Sequence, residues 1–220
     1  MKVKKNLDKI IYDKMIESFI LGEYHMGDMI SLDMLCEKYE VSRTPVVQAI
    51  KLLANDGVLE RLGNGRVVVP QFDAAQINDI CDVRLMAEKY AIERVLADKE
   101  GLPSLLKQLE IYVKKCEEFL TAGNVLEMTK MDLKFHKALM TGAGNDYLSS
   151  IYDGIQGRFI IANYLVLPLK KRNFNSTIED HYKILEALRK KDLKLAEKCM
   201  TKHINNIYYI ISQEENTRAH

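Results

Sequence analysis

The sequence has no tryptophan and, in 220 residues, only four cysteines, four prolines and eleven glycines. The missing tryptophan decides nothing; the other scarcities do. Cys36, Cys81, Cys116 and Cys199 are widely scattered and form no CxxC pair. Four reduced thiols in a chain of this size fit a cytoplasmic protein better than a disulfide scaffold. Sparse glycine and proline predict long uninterrupted elements. No apolar run reaches the ~20 residues a membrane helix needs, and the opening MKVKKNLDKI lacks the apolar core of a signal peptide. The expectation is a cytoplasmic chain without a membrane partner. Net charge is nearly absent too. Lys+Arg at 32 against Asp+Glu at 31 leaves +1, so the balance nominates no partner. What remains, 47% hydrophobic and 29% charged, belongs to a globular domain and excludes disorder or a fibrous repeat.

Two regions read differently. Up to about residue 70 the elements are short. Leu7, Ile10, Ile11, Met15, Ile16, Phe19 and Ile20 share a helical face that stops at Gly22. Ser31 is a good N-cap for a short helix over residues 32–39. Ser42 caps the next helix, where Pro45 sits early enough for its missing N–H to cost little. That helix turns Val46, Ala49, Ile50 and Leu53 inward and ends at Asn55-Asp56-Gly57. VLERL, the turn Gly63-Asn64-Gly65 and RVVVP then read as a β-hairpin closed by Pro70. Three helices and a hairpin make a winged helix. Beyond the polar connector QFDAAQ the pattern is long and helical. Helices are predicted at roughly 76–98, 103–121, 124–140, 146–166, 176–190 and 192–212, with one of the breaks at Pro168. The fold class is therefore mainly α: a winged helix-turn-helix in residues 1–70, a linker at 71–78, an all-helical bundle of about six helices at 79–212, and a polar tail at 213–220.

VSRTPVVQAIKLLANDGVLERLGNGRVVV is the most specific stretch. A helix-turn-helix needs a second helix whose N-terminal side chains enter the major groove while N–H groups and caps hold phosphates. Ser42, Arg43 and Thr44 stand at such an N-terminus. Gln48 and Lys51 follow on the face opposite the apolar residues, and no acid lies between Ser42 and Asn55. Asn64, Gly65 and Arg66 form a hairpin tip that can approach a phosphate or a narrow minor groove. These eight residues are the predicted DNA-binding set. The stretch from Ile11 through Val69 resembles the winged-helix domain of the GntR family of bacterial transcription regulators, best matched at Val41-Ser42-Arg43-Thr44-Pro45-Val46. The resemblance implies a homodimer that reads a palindromic operator on double-stranded DNA. Two positions depart from it. Val47 and Asp33 stand where the family commonly carries DNA-contacting arginines. Residues 1–70 hold ten Lys+Arg and ten Asp+Glu, so the few well-placed cations, Arg43, Lys51, Arg61, Arg66 and the terminal Lys2, Lys4 and Lys5, have to do the electrostatic binding.

In the helical half, polar residues on apolar stripes are the informative ones. One stripe runs Val125, Met128, Asp132, Phe135/His136, Leu139. A second runs Ile178, His181, Leu185, Leu188, and a third Ala196, Cys199/Met200, His203, Ile207, Ile210. A lone inward histidine is usually a satisfied core residue. Three of them with an aspartate, on three helices, point to a divalent metal, which would also compensate a buried carboxylate. One carboxylate and three imidazoles suit zinc, nickel, manganese or iron, with zinc or nickel favoured, and a thiolate structural zinc site is disfavoured. Arg84 and Glu88 interrupt the Cys81, Ala91, Val95 stripe at i, i+4, and Arg158 interrupts Leu148, Ile151, Ile155, Ala162. Arg84 and Glu88 read as a surface or semi-buried ion pair, or else Arg84 or Arg158 lines the metal cavity and clamps a carboxylate. His25 and His220 receive no role.

The same half resembles the effector domain of the FadR subfamily of GntR regulators, the FCD type, in its metal-binding branch. Asp132-Leu133-Lys134-Phe135-His136 matches the D-x-x-F-H element, His181 in His181-Tyr182-Lys183-Ile184 matches H-x-x-I, and His203 matches the histidine of the last helix. With the N-terminal match, the resemblance covers about residues 10–210. It implies that Asp132, His136, His181 and His203 hold the metal. It also implies a small organic-acid effector beside the metal, with Arg84, and less directly Glu88 and Arg158, contacting it. Two other readings stand beside this one. In one the metal is purely structural; in the other a metal-activated water makes the chain a hydrolytic enzyme, against which no Glu or His is spaced as a general base.

Overall fold

The computed structural model describes residues 6–166 and 172–218, with side chains described as far as Asn206 apart from Ala74. Pro168, Lys2, Lys4, Lys5 and His220 lie outside the described residues, as do the side chains of Ile207 and Ile210. The order is α1 (Leu7–Ile20), β1 (Met29–Ile30), α2 (Leu32–Tyr39), α3 (Arg43–Asn55), β2 (Glu60–Arg61), β3 (Val67–Val68), α4 (Ala74–Ala97), α5 (Leu102–Thr121), α6 (Val125–Gly142), α7 (Asp146–Val166), α8 (Phe174–Arg189) and α9 (Leu193–Arg218). The described residues divide into two units. The first runs to Asp73 and includes α7 from Gly157 onward; the second holds the rest.

In the first unit, Ile11, Met15 and Phe19 of α1 and Val46, Ala49, Ile50 and Leu53 of α3 build a core that Val58, Leu59, Val67 and Val69 close. Burying these apolar side chains is what orders so small a subdomain. Ser31 caps α2, its hydroxyl accepting from Met34 N. Gly57, at φ +67°, takes the left-handed turn that stops α3, a conformation costly to any residue with a Cβ. Lys38 fastens α2 to the chain leaving α1: its Nζ donates to Glu23 at 2.8 Å and to Ser18 at 3.3 Å. The hairpin gains a strand that the sequence pattern does not show. β1 joins on the outer side of β3, giving the antiparallel order β1-β3-β2 with Met29 opposite Val68 and Arg61 opposite Val67.

In the second unit α4, α5, α6, α8 and α9 pack around Ile92, Leu109, Val113, Phe135, Leu139, Ile184, Leu188 and Met200, all buried. Three expectations change. Helix α4 begins at Ala74, inside the expected 71–78 linker, because Ala74-Ala75-Gln76 are strong helix formers. The expected tail from residue 213 is helical as far as Arg218, since no glycine or proline interrupts Gln213-Glu214-Glu215. On α7 the buried residues include Tyr152, Phe159, Ile160, Ile161 and Ala162, so of the expected stripe Ala162 is inward whereas Ile151 and Arg158 are exposed. Apolar residues occur all round α7, so periodicity does not single out its buried face. Among the described residues no helix is long and apolar enough to cross a membrane.

Candidate functional site

Two constellations stand out, one in each unit. In the first, Ser42, Arg43, Thr44, Gln48 and Lys51 are all exposed along α3, and Asn64, Gly65 and Arg66 are exposed at the hairpin tip. Helix α3 presents these side chains because Val46, Ala49, Ile50 and Leu53, at helical spacing, bury its other face. Ser42 takes the extended N-cap conformation, but its hydroxyl accepts no hydrogen bond from the helix. The first N–H groups of α3 therefore remain available to an anion, as helix N-termini do for phosphate. At the tip, Asn64 Oδ1 accepts from Arg66 N at 3.0 Å and Gly65 sits at φ +80°, so Asn64 shapes the turn from which Arg66 projects. Arg43 is ion-paired with Asp33 of α2.

In the second unit, one ligand atom from each of Asp132, His136, His181 and His203 lies within 4.8 Å of the others. Asp132 and His136 are a turn apart on α6, His181 comes from α8 and His203 from α9. His136 Nε2 lies 3.2 Å from both His181 Nε2 and His203 Nε2, and Asp132 Oδ1 lies 3.4 Å from His181 Nε2. All three imidazoles are buried, and the Phe135 ring stacks on His181 with centroids 4.4 Å apart.

Electrostatics suit this set to a cation. Burial pushes His181 and His203 well below the ordinary histidine value, and the neighbouring His136 adds to it, so both keep a lone pair to donate. Burial raises the Asp132 carboxyl, and its Oδ1 accepts no hydrogen bond. A buried carboxylate oxygen in that state is costly, and a divalent ion among four such donors would compensate it. The residues present fit a metal ion.

Behind His136 stands a support that the sequence stripes do not reveal. Its Nδ1 lies 2.6 Å from Glu88 Oε2. Glu88 Oε1 accepts from Arg84 Nε at 2.6 Å and from the Tyr152 hydroxyl at 2.6 Å. Burial opposes the Glu88 charge, but the neighbouring His136 and Arg84 and the hydrogen bonds from His136 and Tyr152 prevail, holding the carboxyl below its usual range. An ionised carboxylate only accepts, so Nδ1 of His136 carries the proton and Nε2 faces the other donors, an arrangement common behind metal-bound histidines. Arg84 is 1% exposed and Glu88 0%, so the Arg84–Glu88 pair belongs to the interior of this site. Arg158 is not brought here. Its exposed side chain lies in the first unit against Gly57, where an added Cβ would meet the Arg158 guanidinium. The sequence does not single out Tyr152, because it sits on a helix without an evident polar face.

Family models match the chain in two stretches: "Bacterial regulatory proteins, gntR family" over residues 7–69 and "FCD domain" over residues 79–206. The Uxu operon regulator of Haemophilus influenzae is 30% identical over 84% of this chain and 74% of its own length. The gluconate operon transcriptional repressor of Bacillus subtilis is 23% identical over 86% of this chain and 78% of its own. Among solved structures, E. coli McbR/YncC superposes with a TM-score of 0.80 at 18% identity, covering 95% of this chain and 98% of that one, which is a likeness of fold.

Proposed function

The chain belongs to the gntR family of bacterial regulatory proteins, with an FCD domain as its C-terminal half, and from that premise we propose that it is a metal-dependent, effector-controlled switch on DNA. It is a DNA-binding transcription regulator and not an enzyme. Two copies bind a palindromic operator, each placing α3 in the major groove through Ser42, Arg43, Thr44, Gln48 and Lys51, with Asn64, Gly65 and Arg66 of the hairpin on the flanking groove. A divalent metal, zinc or nickel rather than manganese or iron, sits among Asp132, His136, His181 and His203. A small organic acid binds beside it, its carboxylate competing with Glu88 for Arg84. Arg158 has no part in this reading. One relative is named for a gluconate operon, the operon of a sugar acid, which agrees with an acidic effector.

The single observation that carries this reading is the convergence of four donors from three helices, all within 4.8 Å, with three of them buried imidazoles. Metal bound there ties α6, α8 and α9 together. An acid that binds two arrangements of these helices unequally shifts operator affinity by its differential affinity, and a coupling of ~1–3 kcal/mol gives roughly 5- to 150-fold. The full burial of the imidazoles also favours a second reading, in which the metal only holds the bundle together. One experiment separates the two. Wild-type and His181→Ala proteins are loaded with zinc or nickel and screened on operator DNA against sugar acids and other small carboxylates. An acid that releases wild-type protein and leaves the mutant bound supports the switch. Equal release of both makes the metal structural.

A further inference from the structure

Asp33 carries a consequence of its own for DNA recognition. It stands in the first turn of α2 and its carboxylate pairs with Nη1 of Arg43, the first residue of α3. The two side chains are 83% and 62% exposed, so the pair adds little stability. Its effect lies in where it leaves the guanidinium. An arginine has two donor edges, and occupation of Nη1 leaves the Nε/Nη2 fork free to make two parallel hydrogen bonds, the pairing that guanine O6 and N7 accept in the major groove. Without Asp33, Arg43 would be a flexible cation at the positive end of α3, where phosphates gather and any sequence would do. Asp33 also places a negative charge on a DNA-facing surface in a region with no basic excess.

We infer that Asp33 is a specificity-determining residue: it holds Arg43 toward a guanine edge and withdraws it from phosphate binding, exchanging general DNA affinity for base selectivity. This rests on the proposed reading that α3 is the DNA-reading helix.

The test uses the full chain as wild type, Asp33→Ala, Arg43→Ala and the double variant. Each is incubated with a random-sequence duplex pool; bound DNA is sequenced, and affinity is measured on the wild-type consensus and on random duplex across a salt series. Wild type should select a guanine at one symmetric position. Asp33→Ala should bind random duplex more tightly, with a salt slope steeper by about 2, one extra phosphate contact from each of the two copies. Its consensus-to-random ratio should fall about 5-fold or more, the lower end of what a good arginine–guanine pair discriminates, and the guanine preference should fade. In the Arg43→Ala background, Asp33→Ala should leave the base preference unchanged, because the two residues act as one unit. A purely structural role for Asp33 at the start of α2 would shift the melting midpoint without moving base preference. If Asp33→Ala keeps the wild-type ratio and preference while Arg43→Ala loses them, the inference is wrong and the reading helix stands. If Arg43→Ala binds both duplexes as wild type does, both fall together.

Discussion

Glu88 is the residue on which the interior of the FCD half turns. It accepts from Arg84 and Tyr152 and orients His136, all from a position with no exposure to solvent. A buried ion pair is weak grounds for stability as a whole, but removing one partner strands the other charge. Glu88→Gln should therefore destabilise the protein by about 3–5 kcal/mol in denaturant titration. Because it loosens the His136 tautomer, it should also weaken metal binding by roughly 10- to 100-fold in chelator competition. Unchanged metal affinity in the folded variant would show that Glu88 has no part in orienting His136. This residue also marks the limit of what the sequence shows. Asp132, His136, His181 and His203 are legible because each interrupts an apolar stripe at helical spacing. Glu88 is legible too, as an inward polar residue a turn from its partner Arg84, but its partner on another helix is not. His136 lies 48 positions away, and nothing in a one-dimensional pattern says which two helices meet.

At the scale of elements, α6, α8 and α9 converge on one set of donors, and without metal that convergence is sensitive to acid. His181 and His203 are held neutral in the fold, below the ~6.5 of an exposed histidine. As pH falls past about 6.5 the unfolded chain takes up protons that the folded protein refuses, so stability falls, and it goes on falling until the depressed folded values are reached. The slope approaches about 1.4 kcal/mol per pH unit for each histidine. Glu88, whose folded value is depressed, adds its own loss only below about 4.3, where the unfolded carboxylate protonates first. Urea unfolding of the metal-free protein should thus show a midpoint dropping between about pH 7 and pH 5. A flat midpoint over that interval would mean that these imidazoles are not buried neutral. Helix α2 could be placed from its Ser31 cap, and α3 from Ser42, which takes the N-cap backbone conformation without capping through its hydroxyl, and from Gly57. Strand β1 could not, because two residues carry no alternation, and the orientation of α7 could not, because its apolar residues run all round it.

At the scale of the whole molecule the question is what covers the exposed apolar residues of the second unit. Val83, Met86 and Tyr90 recur at i, i+3 and i+7 on the outer face of α4, with Met86 68% exposed. The Tyr90 hydroxyl lies 3.4 Å from Asn145 Nδ2, which brings the start of α7, with exposed Tyr147 and Ile151, beside this stripe. A contiguous patch of large apolar side chains is unusual on a monomer, and a closed two-fold assembly is the commonest way to cover one. A regulator that reads a palindrome needs the same symmetry, since each half-site alone offers only a few base pairs of discrimination. The proposed homodimer therefore places α4 and α7 of one copy against those of the other. Wild-type protein should sediment at twice 25.3 kDa at micromolar concentration. Met86→Glu changes a side chain that lies outside the core of the single chain, so thermal unfolding should stay within about 0.5 kcal/mol of wild type at low concentration. In a dimer the same substitution buries two unpaired carboxylates near the symmetry axis, and each ~1.4 kcal/mol lost raises the dissociation constant tenfold. The variant should then run at 25.3 kDa and bind an intact palindrome no better than an isolated half-site. If Met86→Glu still sediments as a dimer and keeps its preference for the palindrome, the α4–α7 face is not the surface through which the copies join.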